Sequence, residues 1–312
     1  MSFRGLDSKR FPTSEAGFGG QSRKATAFAE RLVDSNNPYV AKFEEFASSV
    51  EEYVDTHFDS IKPYVPAIGR FLIVATFLED SVRIFSQWDD QVYYLATFRH
   101  LWVWFVKLFL VFNISLMVSA SVMIITRVKT EIAACLLTAV VVFQGFIYGL
   151  FFDPVFFFRN ISVVGGLLIA LSDSLVRDKR FLSMPGLPMV ESKDNKKYFL
   201  LAGRIMLILL FLVFAFKTSW SFFRLFVVLV GFFACSAVVV GYKTKFAAVL
   251  LVVLFSIYNI SSNHYWTYGQ RDARRDYLKY EFFQTLSIVG GLLIILNTGA
   301  GELSLDEKKK IY

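Results

Sequence analysis

The chain has 312 residues, of which 55% are hydrophobic and 17% aromatic, and its formal net charge is +7. The hydrophobic fraction alone does not separate a membrane protein from a soluble one, because soluble domains are about half apolar as well. The distribution is informative: residues 132–152 carry no charge and are long enough to cross a hydrocarbon core about 30 Å thick. The composition therefore indicates a polytopic membrane protein with basic loops and does not predict nucleic-acid binding.

Residues with chemical reactivity are few and scattered. The two cysteines, Cys135 and Cys235, lie in apolar runs, which predicts packing residues rather than a disulfide framework. The three histidines have no cysteine or carboxylate partners at ligand spacing, so we expect no metal and no cofactor. Because a nucleophile elbow, a zinc-binding helix and a phosphate-binding loop are also missing from the sequence, we do not expect an enzyme.

The N-terminal part of the chain differs from the rest. Residues 1–40 are rich in serine, glycine and charge, which predicts a disordered cytosolic segment. Across residues 41–64 apolar side chains recur at helical spacing, which predicts an amphipathic helix. Because this helix is acidic, we interpret it as packing on the cytoplasmic ends of the membrane spans rather than adsorbing to anionic lipid. A partner-binding helix is the alternative.

Eight apolar stretches follow and predict an all-α protein with about eight transmembrane helices. Their approximate bounds are 68–87, 102–125, 132–152, 155–175, 198–216, 222–240, 246–263 and 281–298.

Segments of the first four spans are repeated in the last four. The echoes occur in the same order in each half: Gly69-Arg70 and Gly203-Arg204, residues 129–137 and 243–251, and residues 161–172 and 286–297. We therefore predict duplicated four-helix repeats over residues 64–175 and 198–300, joined by a basic cytosolic linker over residues 176–197. An even number of spans in each makes the repeats parallel and puts both termini on one side of the membrane.

The distribution of lysine and arginine predicts which side this is. These residues are more frequent in the connections that share a side with the termini, which places both termini in the cytosol. Residues 301–312 then form a cytosolic tail, with Lys309 and Lys310 at the fourth and third positions from its end. Two lysines at these positions are the signal that the retrograde vesicle coat reads. The alternative is a solvated charge run that follows the last span.

The first predicted span is unusual because it contains charged residues, namely Arg70, Glu79, Asp80 and Arg83. Glu79 and Arg83 are four residues apart and can pair on one face of a helix. Two interpretations stay open: structural ion pairs between spans, or a polar cavity on the lumenal side between the halves. The residues predicted at the same depth elsewhere in the chain are Arg159, Asn160, Tyr280 and Glu281.

The chain resembles the surfeit-four family of endoplasmic reticulum cargo receptors over residues 64–312. The segments that carry the resemblance are residues 70–88, 159–174, 241–246 and 297–312. The four-helix half also resembles the DoxX-type membrane module, a likeness of fold alone.

The family resemblance implies a receptor that binds soluble secretory proteins in the lumen, enters COPII vesicles and returns through COPI by its dilysine tail. It implies the endoplasmic reticulum membrane as the location, with cycling through the Golgi. Membrane lipids surround the spans, and homo-oligomerisation is left open. A small-molecule transporter or a membrane redox enzyme that uses the charged span is the alternative. The candidate lumenal cargo site comprises Glu79, Asp80, Arg83, Trp88, Arg159, Asn160, Tyr265, Tyr280 and Glu281.

Overall fold

A computed structural model describes residues 38–57, 62–149, 154–182, 198–206, 222–269, 272–299, 301 and 304–306. Most of these residues are helical. The helices are α1 (Pro38–His57), α2 (Val65–Ser86), α3 (Trp88–Thr97), α4 (Val103–Thr126), α5 (Thr130–Ile147), α6 (Pro154–Leu182), α7 (Phe222–Val240), α8 (Thr244–Ser262) and α9 (Ala273–Thr298). Residues 198–206 are also helical, and a 3-10 turn spans Tyr265–Thr267.

The helix α1 contains the boundary between two compact units of the chain, which lies at Glu52. It overlaps the helix predicted over residues 41–64. Its side chains Phe46 and Tyr53 are exposed. The cytosolic location and packing of this helix stay predictions, and residues 1–37 lie outside the described part of the chain.

Among the described residues, five helices are long and apolar enough to cross a membrane: Val103–Thr126, Thr130–Ile147, Phe156–Ser174, Thr244–Thr267 and Arg274–Thr298. The chain is thus a mostly helical, polytopic membrane protein. The helix α2 is not among the five because it carries four charged residues. The predicted total of eight spans stays a prediction, since residues 207–216 of the fifth lie outside the described residues.

The largest difference from the predicted bounds occurs in α9. We predicted a span over residues 281–298, whereas the helix begins at Ala273. Its first turns carry Arg274, Arg275, Asp276 and Lys279, and charged residues interrupt the apolar pattern from which a span is recognised. Asp272 caps the helix by accepting a hydrogen bond of 3.0 Å from the backbone N–H of Arg274.

The helices α2 and α9 form the centre of the bundle. They pack along each other, and α9 also contacts α6 and α8. On the outside, α4 contacts α2 and α5, while α7 contacts α8. More than half of the apolar stretch is buried in α6 and α9, compared with a third in α4, α5 and α8. The outer helices therefore present side chains such as Phe112 and Phe143 outward, as expected for helices surrounded by lipid.

A close crossing of two glycines holds α2 against α9. A Cβ atom added to Gly290 would lie 2.6 Å from the carbonyl oxygen of Gly69 and 2.9 Å from the backbone nitrogen of Ile73. A Cβ atom added to Gly69 would lie 2.7 Å from Ile294 Cγ1. Because neither glycine has a side chain, the two backbones approach more closely than larger residues permit.

The same contact occurs between the matching residues of the other half. A Cβ atom added to Gly203 would lie 2.6 Å from Ile169 Cγ1 and 2.9 Å from the Gly165 carbonyl oxygen. The repeated Gly-Arg and Gly-Gly segments thus meet each other: the glycine near the start of one half packs against the last span of the other. The division of the whole chain into four-helix repeats stays a prediction.

The helices α5 and α8 begin in the same way. Their N-cap residues, Lys129 and Lys243, both adopt the left-handed conformation, with φ of 46° and 45°. The threonines that follow, Thr130 and Thr244, are both buried. The matching Lys-Thr-x-x-Ala-Ala sequences therefore form matching helix starts.

We expect Gly290→Ala to destabilise the bundle, because the new methyl group meets backbone atoms of α2 that cannot rotate away. Overpacking of this kind costs about 1–3 kcal/mol, against a gain in helix propensity of about 0.5–1 kcal/mol. The measurement is thermal unfolding of the purified protein in detergent, detected as the loss of the monodisperse elution peak with rising temperature.

Gly166→Ala is the matched control. Its Cβ atom would lie 3.6 Å from Ile73 Cγ2, an ordinary van der Waals distance. The control should therefore unfold at or above the wild-type temperature. Equal unfolding temperatures for Gly290→Ala and Gly166→Ala would show that the α2–α9 crossing tolerates a wider separation.

Candidate functional site

Three charged side chains lie together near the C-terminal end of α2. Glu79 and Asp80 are 5% and 7% exposed, so both carboxylates are removed from the surface although they lie in an apolar helix. The helix itself follows from its sequence: Pro66 stands in the first turn, where its missing N–H costs nothing, and apolar residues fill the remaining turns. Carboxylates at this depth require partners.

Asp80 has partners on two helices. It forms an ion pair with Arg83, one turn further along α2. Its other carboxylate oxygen, Oδ2, accepts a hydrogen bond of 2.8 Å from Gln144 Nε2 on α5. The same Gln144 nitrogen lies 3.7 Å from the sulfur of Met117 on α4. Asp80 is therefore held by a network that joins α2, α5 and α4.

Glu79 is paired across the bundle. Lys279 Nζ, on α9, lies 3.3 Å from Glu79 Oε1. The Glu79 side chain is 2% exposed and that of Lys279 is 29% exposed, so the lysine reaches from a more open position to a buried carboxylate. The helical spacing allows Glu79 to pair with Arg83, but the ion pairs observed are Asp80–Arg83 and Glu79–Lys279.

Further polar contacts join α2 to α9 on both sides of this ion pair. Towards Gly290, the hydroxyl of Thr76 donates to the Phe283 carbonyl oxygen at 2.9 Å and that of Ser287 to the Ile73 carbonyl oxygen at 3.1 Å. Towards α3, Gln87 Nε2 donates to Asp276 Oδ2 at 2.6 Å. The antiparallel pair thus satisfies its polar groups across the interface.

We call the end of the bundle that carries Gln87, Tyr148 and the first turn of α9 the α3 end. Here Trp88 begins α3 and packs, half-buried, with an apolar cluster around Ile84 and Leu95. The Tyr148 hydroxyl donates to Gln91 Oε1 at 2.8 Å, which ties α3 to the end of α5.

Aromatic side chains form a second group at the α3 end. Tyr265 and Trp266 of the 3-10 turn contact the Phe282 ring, with centroid distances of 5.4 and 6.1 Å. Tyr93, on α3, is 64% exposed and Trp266 is 54% exposed. Tyr265, Trp266 and Phe282 thus provide an apolar surface at the first turns of α9, and Tyr93 is exposed on α3.

The other predicted residues have mixed positions. Tyr280, on α9, accepts a hydrogen bond of 2.6 Å from Gln284 through its hydroxyl oxygen. Glu281 and Asn160 are half-buried. Arg159 lies in α6, but its side chain is not among those described, and Lys309 and Lys310 also lie outside the described residues. Sequence reasoning missed Gln144 and Lys279; the signal for Gln144 is a single polar amide in the apolar run of residues 132–152.

Arg70, the fourth charged residue of α2, lies at the end of the bundle opposite the α3 end. Arg70 Nη1 lies 3.2 Å from Asp173 Oδ2 on α6, and Arg127 Nη2 lies 4.0 Å from the same oxygen. The matching arginine, Arg204, is fully buried and donates to the Val238 carbonyl oxygen at 3.2 Å. Because each of these groups is tied to a neighbouring element, this cluster binds helix ends together.

The ion pairs, amides and aromatic rings of the α3 end can contact polar and apolar parts of a ligand. Within the described ranges no group of three or more His, Cys, Asp or Glu side chains is placed to hold a metal ion.

Comparison with known proteins identifies the family to which the chain is similar. The family model described as the SURF4 family matches residues 44–312. The chain is 48% identical over 274 residues to the ER-derived vesicles protein ERV29 of Saccharomyces cerevisiae, covering 86% of this chain and 85% of the relative. It is 41% identical to the Surfeit locus protein 4 homolog of Schizosaccharomyces pombe, covering 86% and 90%. No solved structure matches the chain. With a family model that extends from α1 to the C-terminus, the chain belongs to the SURF4 family.

Proposed function

We propose that the protein is a cargo receptor of the endoplasmic reticulum that binds soluble secretory proteins in the lumen and carries them into COPII vesicles. The observation that carries this proposal is the similarity, across most of both chains, to a yeast protein named for ER-derived vesicles. The membrane-spanning helices suit a protein that connects a lumenal ligand to a cytosolic coat. COPI then returns the receptor through Lys309 and Lys310.

The proposal includes an orientation. The turns between α4 and α5 and between α7 and α8 contain Arg127, Lys129 and Lys243, and basic connections favour the cytosolic side. The α3 end then faces the lumen, with the Glu79–Lys279 pair and the aromatic surface around Tyr265.

We place the cargo site at the α3 end, next to α2 and α9. The glycine crossings are duplicated but the carboxylates are not: with Gly69 matched to Gly203, the positions that correspond to Glu79 and Asp80 are Val213 and Phe214. A purely architectural role would give both halves the same groups. The unmatched carboxylates support one specialised surface rather than two.

A small-molecule transporter or a membrane redox enzyme is the second candidate. The observation that favours it is the pair of buried carboxylates in α2. A deletion strain separates the candidates. Retention of particular soluble secretory proteins with normal small-molecule pools supports a receptor; altered pools with normal secretion would contradict it.

We expect the double variant Glu79→Gln and Lys279→Gln to slow cargo export at normal protein abundance. Neutralising both partners avoids an unpaired buried charge, whereas breaking a buried pair from one side costs about 3–5 kcal/mol. Export is measured by pulse-chase release of clients, and abundance by immunoblot of the membrane fraction.

The matched control is the ion pair at the other end of α2. Arg70→Gln with Asp173→Asn removes one charge of each sign from a buried pair 3.2 Å apart, keeps the partly exposed Arg127, and should leave export per molecule unchanged. Normal export by the Glu79/Lys279 variant would mean that the pair is only a link between α2 and α9.

Tyr93→Ala should slow the export of a subset of clients, because an exposed aromatic ring at the α3 end contributes apolar contact area to a bound segment. Trp88→Ala and Tyr265→Ala should act in the same direction, with a loss of stability as well, since both rings are half-buried. Client release is measured for each.

Phe143→Ala is the control, because Phe143 lies on α5 and is as exposed as Tyr93. Equal effects at Tyr93 and Phe143 would argue against a cargo surface.

We expect Lys309→Ser with Lys310→Ser to move the protein from the endoplasmic reticulum to the Golgi, because coat recognition needs both ammonium groups at a set distance from the terminal carboxylate. Fluorescence imaging of an internally tagged protein gives the distribution. Adding residues after Tyr312 should have the same effect with both lysines present. A double-serine protein that stays in the endoplasmic reticulum while export continues would contradict the retrieval signal.

A further inference from the structure

The chain after α9 turns back onto the start of α8. Asp306 Oδ1 accepts a hydrogen bond of 2.8 Å from the backbone N–H of Lys243. Its Oδ2 atom accepts bonds of 2.9 Å from both the backbone N–H and the hydroxyl of Thr244. The backbone N–H of Asp306 donates to the Gly241 carbonyl oxygen at 2.9 Å. Four hydrogen bonds therefore dock this segment onto the α7–α8 turn.

The docking position is suited to a carboxylate. The first N–H groups of a helix have no partner within the helix and carry partial positive charge, so an acidic group there is stabilised. The buried guanidinium of Arg204 adds an attractive electrostatic interaction with Asp306. At the start of α5, the corresponding hydroxyl of Thr130 has no hydrogen-bond partner among the described residues.

Contacts before Asp306 also hold the segment in place. Gly301 adopts the left-handed conformation with φ of +75°, and a Cβ atom there would lie 2.7 Å from Leu200 Cδ2. Ser304 is buried, and its hydroxyl donates to the Gly301 carbonyl oxygen at 2.6 Å. The docked segment thus contacts both the α7–α8 turn and the helical residues 198–206.

Docking leaves little chain for a coat to reach. Lys310 follows Asp306 by four residues, and four extended residues span at most about 14 Å. If the segment leaves the turn, the free chain starts at the end of α9, and the 12 residues from Gly299 to Lys310 span at most about 43 Å. A folded coat domain of roughly 300 residues has a radius of gyration of about 19 Å. The short chain between the docked Asp306 and the lysines therefore restricts how such a domain can approach the tail.

We propose that the α7–α8 turn is an intramolecular binding site for the C-terminal segment, and that docking of Asp306 there limits coat access to Lys309 and Lys310. This inference rests on the retrieval function proposed above. If only the undocked fraction binds the coat, the apparent affinity is reduced by that fraction.

The test uses the full chain in proteoliposomes and purified COPI coat at sub-saturating concentration. Thr244→Val removes one docking hydrogen bond without changing the tail, and Asp306→Ala removes all those made by the carboxylate. Loss of a helix cap shifts such equilibria by roughly two- to thirty-fold, and we expect coat binding to rise within this range. Thr130→Val, the same change at the start of α5, should bind coat as the wild type does.

Carboxypeptidase digestion of the same proteoliposomes tests docking directly. In the wild type, trimming should slow once it reaches Asp306, whereas in Thr244→Val it should continue towards α9. Mass spectrometry of the C-terminal fragment gives the end point. Equal trimming of the wild type and Thr244→Val would overturn the docking site.

The double-serine variant at Lys309 and Lys310 separates this inference from the retrieval function. If that variant loses coat binding while Thr244→Val and Asp306→Ala bind like the wild type or more weakly, docking does not limit access and the inference is wrong. If the double-serine variant binds normally, the retrieval function fails and the inference fails with it. A variant that does not elute as a monodisperse peak is replaced by the other docking variant, which changes the same contact.

Discussion

The close crossing of α2 and α9 is the constraint on which the rest of the bundle depends. Gly69 and Gly290 let two backbones approach, and this close approach restricts the register in which the two helices pack. In a bilayer an unpaired polar group costs several kcal/mol, so a register that placed Glu79 opposite an apolar residue would be strongly disfavoured. The ion pair with Lys279 and the hydrogen bonds of Thr76 and Ser287 all occur in this one register.

What is duplicated in this chain differs from what is unique. The glycine crossings and the left-handed helix starts at Lys129 and Lys243 occur twice, and both concern the path and packing of the backbone. The carboxylates of α2 have no counterparts in the other half. Repeated features are thus the ones that build a helix bundle, and unrepeated features are the ones to which we assign cargo binding.

The helix α9 connects the two activities of the proposed receptor. Its first turns carry Lys279, which reaches the buried Glu79, and the chain beyond its last turn carries Asp306, which is bound to the start of α8. A single continuous helix of 26 residues therefore lies between the Glu79–Lys279 pair and the docked segment.

The sequence by itself determined the membrane class, the internal echoes and the family, because apolar runs and repeated segments are read without knowing any contact. It also identified α2 as the charged span. Only the tertiary structure decided the partners of the charged residues. Spacing along one helix allowed Glu79 to pair with Arg83. In the packed bundle Arg83 pairs with Asp80 instead, and Glu79 pairs with Lys279, which lies 200 residues further along the chain. The same holds for Asp306, whose partners lie 62 and 63 residues earlier in the chain. Contacts of this kind depend on how helices cross, and helix crossing is set by distant side chains that no local pattern records.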